Sequence, residues 1–351
     1  MLVAILVAGG VISGLLALVA DLGQLYAERR VVQNGADAAA LAIAQDCATG
    51  LDGCEGQSDA ESRAEQFANA NAPDDVTAVT QVCGPDGEGL TTCPAPGDHW
   101  ADCQAVSQDM PHYVRVRTST LRPDEGTFLL PIFAGLLADE GNAELGTGAC
   151  AQAGWGPPST AYVQFPLLVP VCPGGWDEEP VTIEDFDPND PVNDACVLDG
   201  VQYPGVTKGF AFGSFPDAPK DCLENVPVSV GDFIPVETSV TQWCGSDVSV
   251  QLDQILAEGE PFVVPVVGDH TNQGQGQYEF EVLSFKSFTL LGYKVKNKSG
   301  GEPPNGANWA GTACHKSAKR SCFYGFFGPA VTTGTPGGGP DLGVRAVGLI
   351  P

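Results

Sequence analysis

Residues 2–46 read LVAILVAGGVISGLLALVADLGQLYAERRVVQNGADAAALAIAQD, and no proline interrupts them. The first part, Leu2–Ala20, carries no charge. At about 1.5 Å per residue it makes a helix of roughly 28 Å, close to the hydrocarbon thickness of a bilayer. A cleavable signal would need a basic stretch before the apolar run and small residues at the cut. Met1 runs directly into Leu2, and Leu18 sits badly before a cut after Ala20. A retained transmembrane anchor over residues 1–20 is therefore expected, and a basic leader upstream of it is one resolution of its orientation. The second part, Asp21–Asp46, sets Leu22, Leu25, Tyr26, the Arg29 stem, Val32, Ala36, Ala40 and Ile43 at steps of three and four. That spacing is one face of a helix. The two parts together predict one continuous rod, anchored in membrane at its start and carrying a packed domain on its far half.

Small residues mark where this rod would pack closely. Gly10 and Gly14 form a G-x-x-x-G in the anchor, and Ala36, Ala40 and Ala44 form a stripe at steps of four. Such positions let another helix or a sheet approach, and they allow a helix-mediated oligomer.

Charge and cysteines set the compartment. The net charge is −28 with only 16 Lys and Arg, which speaks against nucleic acid as a partner. Twelve cysteines are spread widely, with no C-x-x-C, so a zinc knuckle or a thioredoxin-like motif is not expected. An oxidising, extracytoplasmic location with disulfides accounts for them. This outweighs Arg29 and Arg30, which taken alone would hold the C-terminal side in the cytoplasm. Local spacing makes Cys47–Cys54 and Cys314–Cys322 the favoured pairs, and leaves the others open.

Beyond the rod, Ser58-Asp-Ala-Glu61 reads as a capping box opening a helix that ends near residues 69–71. Strands are predicted over 76–83, with Val76, Ala78, Thr80 and Val82 on one face, over Tyr113–Thr120, with Val114 and Val116 opposite Arg115 and Arg117, and over 143–153. The apolar run at 128–137 reads as a short helix, and residues 84–111 as a stapled loop. The break GWGPP at 154–158 opens a second half. Strands are expected there at 162–172, 209–215, 262–267, 278–293 and 344–350, with a short helix at 251–256. The TPGGGP stretch at 335–340 reads as a flexible connector. The fold class is thus α+β: a long N-terminal membrane-anchored helix packed on a small antiparallel sheet, then a β-rich disulfide-stapled domain. The divisions are 1–20, 21–155 and 156–351.

The stretch Asp21–Ala42 resembles the start of the TadE/TadG-like proteins of Tad (Flp-type) pilus assembly. In that family an apolar anchor is followed by Asp-x-Gly, an arginine-containing turn and Gln-Asn-x-Ala-Asp-Ala-Ala-Ala-Leu-Ala. The matching positions are Asp21, Gly23, Tyr26, Arg29, Gln33, Asn34, Ala36, Asp37 and Ala38–Ala42. The segments VRVRTST, TFLLPIFAGL and GTGACAQAG are similar, less tightly, to the rest of the family's N-terminal module, and the second half looks like the longer actinobacterial members. The resemblance implies a single-pass cell-membrane protein, its C-terminal bulk extracytoplasmic. It would serve as a surface-exposed accessory or minor-pilin-like component, in contact with other pilus-assembly or pilin-like proteins. A surface adhesin or ligand-binding module with the same anchor is the alternative. Many TadG proteins carry a von Willebrand A domain with Asp-x-Ser-x-Ser; Asp247-Val-Ser-Val-Gln251 lacks the final serine, so that metal site is not expected.

No catalytic constellation or cofactor motif is legible, and an enzyme is not expected. His99, His112, His270 and His315 are scattered and read as exposed loop residues. Asp185, Asp187 and Asn189 fit positions one, three and five of an EF-hand loop, but Asp190 and Cys196 break the pattern at six and twelve, so they remain only loose calcium candidates. Lys316, Lys319 and Arg320 form the basic cluster between Cys314 and Cys322.

Overall fold

The structure is a computed structural model. It describes residues 2–50, 56–72, 77–85, 89–95, 103–106, 110–120, 147–171, 180–184, 196–198, 201–203, 209–213, 225–237, 248–274, 277–295, 298–301 and 321–350. The chain divides into two compact units: Met1–Trp155 with Gly348–Pro351, and Gly156–Val347. The last four residues thus return to the first unit, where the sequence had suggested an undivided second half.

In the first unit, helix α1 runs unbroken over Leu2–Thr49. The side chains of residues 2–15, 17 and 18, and with them Gly10 and Gly14, lie outside the described residues. Among the described residues no helix is long and apolar enough to cross a membrane, so the anchor expected over residues 1–20 rests on sequence alone. The amphipathic face needs a correction. Val32, Ala36, Ala40 and Ile43 are buried, but Leu22 and Tyr26 are exposed and Asp21 is buried. Apart from Asp21, the buried residues of α1 begin at Val32, ten residues later than the periodicity indicates.

That sheet is antiparallel. Strand β1 (Thr77–Cys83) pairs with β2 (Tyr113–Thr120), and β2 with β3 (Gly148–Gly156). The end of the last strand, from Gly348, lies next to β3. A register shift between Val79 and Gln81 breaks the alternation expected in β1. Thr77 and Val82 face inward while Thr80 is exposed. Helix α2 (Gln57–Ala70) buries Ala60, Ala64 and Ala68, a four-residue stripe like that of α1. It does not open with the predicted capping box. Ser58 lies inside the helix and no side chain caps it. Gln57 fixes this end instead, donating to the Glu61 carboxylate at 2.6 Å and the Val82 carbonyl at 2.9 Å, and accepting from the Thr91 amide at 2.7 Å. The apolar run at 128–137 lies outside the described residues.

The second unit is built on strands. The stretch predicted as one strand over 162–172 turns at Pro166 and divides into β4 (Pro158–Val163) and β5 (Leu167–Pro170). Short strands follow: β6 (Val181–Glu184), β7 (Cys196–Leu198), β8 (Val201–Tyr203), β9 (Ala211–Gly213), β10 (Val226–Ser229) and β11 (Phe233–Glu237). Then come helix α3 (Val248–Glu258), the long hairpin of β12 (Phe262–Gly274) and β13 (Gln277–Val295), and β14 (Lys298–Gly301), β15 (Cys322–Gly328), β16 (Ala330–Pro336) and β17 (Val344–Ile350). One sheet runs β11-β9-β5-β12-β13-β15-β6, and β10, β4, β16 and β17 form a second group.

The first of these sheets is buried on both faces, which explains its continuous apolar runs. Leu167, Val169, Phe262 and Val264 join Leu252 and Ile255 of α3 in one core. Leu168, Val263 and Val267 join Val163, Val228 and Val344 in the other. Phe210 meets Phe212 and Phe323 edge-on at 5.1 and 4.8 Å between centroids, a favourable geometry for rings.

The TPGGGP segment is not a free connector. Pro336 ends β16, and the Gly337 and Gly338 amides both donate to the Pro157 carbonyl, at 2.9 and 3.0 Å. A Cβ on Gly338 would lie 2.5 Å from Ser159 Cα, and Gly339 holds φ +73°. Glycine is used here for close approach to neighbouring backbone, rather than for looseness.

Candidate functional site

The signature residues of α1 meet the sheet in a small number of polar contacts. Thr118 Oγ1 of β2 donates to the Val32 carbonyl at 2.7 Å. Gln33 Nε2 donates to Asp37 Oδ1 at 2.8 Å, one helical turn on, and to the Cys150 carbonyl of β3 at 3.2 Å. Ala36, Ala40 and Ala44 have no exposed surface. Gly35 sets the distance to α2, since a Cβ there would lie 3.2 Å from the Ala68 carbonyl oxygen. At the far end, Arg63 of α2 pairs with Asp46 of α1 at 2.8 Å and covers the Phe67 ring at 4.6 Å.

Beside Gln33 and Asp37 opens a pocket of about 350 Å³. Its floor includes Ala151, Gln152 and the Cys103–Cys150 disulfide, and Leu349 and Ile350 form one wall. Asp37 is half-buried; its carboxylate accepts from Gln33 and, among the described residues, forms no ion pair. Gln152 is locked, accepting from Arg115 Nε at 3.2 Å and donating to the Gln104 carbonyl at 3.0 Å. Arg115, read on the face of β2 opposite Val114 and Val116, is only 2% exposed, and its Nη1 donates to the Pro94 carbonyl at 3.1 Å. The loop after β1 covers it, held by the Cys83–Cys93 disulfide. A hydrogen-bonded guanidinium under a stapled loop is a positioning element of the pocket floor.

The residues singled out in the sequence are distributed unevenly. Cys47 and Cys322 are disulfide-bonded, but their partners, and Cys54 and Cys314, lie outside the described residues. So do Asp185, Asp187, Asn189 and the basic cluster at 316–320. Among the described residues no cluster of His, Cys, Asp or Glu could hold a metal. His112 and His270 are not free loop side chains. His112 stacks on Trp155 at 6.0 Å, and His270 lies 5.1 Å from the Tyr278 ring, both half-buried. The pocket itself was missed. Gln33 and Asp37 were visible in the signature, and their four-residue spacing allows a side-chain bond. Nothing in the sequence pairs them with Cys103–Cys150 or with the C-terminal residues.

Residues 1–46 match the family described as "Tad: Putative Flp pilus-assembly TadE/G-like". No curated protein and no solved structure matches the chain. The matched segment lies within the helix that carries the core of the first unit, and the similarity to the TadE/G-like family is a similarity of that segment.

Proposed function

We propose that this chain is a membrane-anchored, surface-exposed accessory or minor-pilin-like component of a Tad (Flp-type) pilus assembly system, working by protein–protein contact and without catalysis. The observation that carries the reading is a coincidence of segments. The family match covers residues 1–46, and residues 32–44 of that segment supply most of the buried face of α1. Leu2–Ala20, uncharged throughout, is the single-pass anchor, and the bulk of the chain lies outside the cytoplasm. Disulfide bonding of Cys47, Cys83, Cys93, Cys103, Cys150 and Cys322 supports an oxidising compartment. Short-range cross-linking in the encoding cells, followed by denaturing purification and mass spectrometry, tests the reading. Recovery of other Flp pilus-assembly proteins from the carbonate-resistant membrane fraction is expected. Extraction of the full chain by carbonate would refute the anchor, and absence of pilus-assembly proteins among the adducts would refute the partnership.

A further inference from the structure

The pocket beside Asp37 has the features of a socket for one cationic side chain. Among its described lining residues it holds a single side-chain carboxylate, on Asp37. One oxygen of that carboxylate accepts from Gln33, and no cation among the described residues neutralises it. Gln152 cannot swing in to serve it, because both ends of its amide are already bonded. The lining also includes Ala151, Leu349 and Ile350, which suit methylene groups. An ammonium on an aliphatic stem satisfies both halves of this lining: the stem covers apolar surface while the head reaches the acid.

We propose that this pocket binds a lysine side chain of a partner protein. The net charge of −28 steers a basic partner toward the chain and repels a second copy of it. A free diamine carries the same head group, but its second ammonium would find no second acid among the described lining residues. The proposal names the chemistry of one contact and rests on the pilus reading only for the partner being a protein. The test uses small probes, so failure of the pocket and failure of that reading are separable.

The experiment is a methyl-detected NMR titration of the full chain in non-ionic detergent. The probes are N-acetyl-lysine methylamide, its norleucine counterpart, which lacks the charge, and 1,5-diaminopentane. Saturable shifts at the methyls of Ala151, Leu349 and Ile350 are expected with the lysine probe. Binding should weaken at least about tenfold for the norleucine probe and for Asp37→Asn, as expected on removing a charge-assisted contact. Gln104→Trp, a change at an exposed position on the pocket rim, should block the shifts and decides the matter should Asp37→Asn fail to fold. Equal binding of the lysine and norleucine probes, shifts confined to other residues, or tighter binding of the diamine than of the lysine probe would overturn the proposal.

Discussion

The hydroxyl of Thr118 donates to the carbonyl of Val32 at 2.7 Å, joining residues 86 positions apart across the buried face between helix α1 and strand β2. The bond fixes where the signature helix crosses the sheet. Thr118→Val keeps the shape and removes the donor. The Val32 carbonyl stays within its helix, so the expected cost is modest, about 1 kcal/mol. Calorimetry of the purified chain should show the transition of the first unit lowered by a few degrees, with that of the second unit unmoved.

Gly35 and Ala68 offer a sharper test of close packing. Leucine at Gly35 improves intrinsic helix propensity by roughly 1 kcal/mol. Against this, even a Cβ at Gly35 would approach the Ala68 carbonyl oxygen to 3.2 Å. Overpacking of that kind costs about 1–3 kcal/mol, and a leucine adds three carbons beyond Cβ, so the clash wins. Gly35→Leu should destabilise the first unit in thermal unfolding, while Gly23→Leu, at an exposed helical position with open space around it, should not.

Arg115 connects the disulfide-held loop to the pocket floor. Arg115→Met leaves the Gln152 side-chain oxygen and the Pro94 carbonyl without the donors that serve them now. Gln152 is buried, and leaving its acceptor unserved costs about 1–3 kcal/mol, whereas Pro94 is exposed and water can serve its carbonyl. A clear loss of stability is expected, together with faster proteolysis between residues 94 and 104. Arg117→Met, on the same strand at a half-buried position, should have a smaller effect.

Tyr293 gives the second unit a pH signature. Burial and the bond to Asp253, at 2.9 Å, push its hydroxyl well above the ordinary 10.0. The folded state therefore keeps a proton that the unfolded chain releases. Stability from this group is fully present below pH 10.0 and is lost as pH rises above it. Lys286 acts in the opposite sense. Desolvation lowers it below 10.5, so the penalty of burying its charge is relieved as pH rises toward that value. Tyr293→Phe should flatten the fall in melting temperature between about pH 10 and pH 11, the range in which a free tyrosine ionises. An unchanged slope would show that the tyrosine contributes nothing there.

Much of the fold was legible because it is written in local periodicity. The α1 rod, strand β2, helix α3 and the β12–β13 hairpin all announce themselves by spacing. What the sequence hid was decided by distant contacts. Arg115 alternates with valines as a solvent-facing residue would, yet a disulfide-held loop buries it. The glycines at 337–339 look like slack, yet a Cβ on Gly338 would meet Ser159 of β4 and one on Gly339 the Leu283 carbonyl of β13. The face of α1 was read too long, since periodicity marks a face but not where its partner begins. The pocket needed Asp37, Cys150 and Leu349 in one place, and no spacing rule connects them.

The central claim is that this chain serves Flp-type pilus assembly, and the most direct measurement is a count of pili. An in-frame deletion in the encoding organism should leave cells without Flp-type pili by electron microscopy, and the full chain supplied in trans should restore them. Normal numbers of pili on the deletion strain would contradict the account.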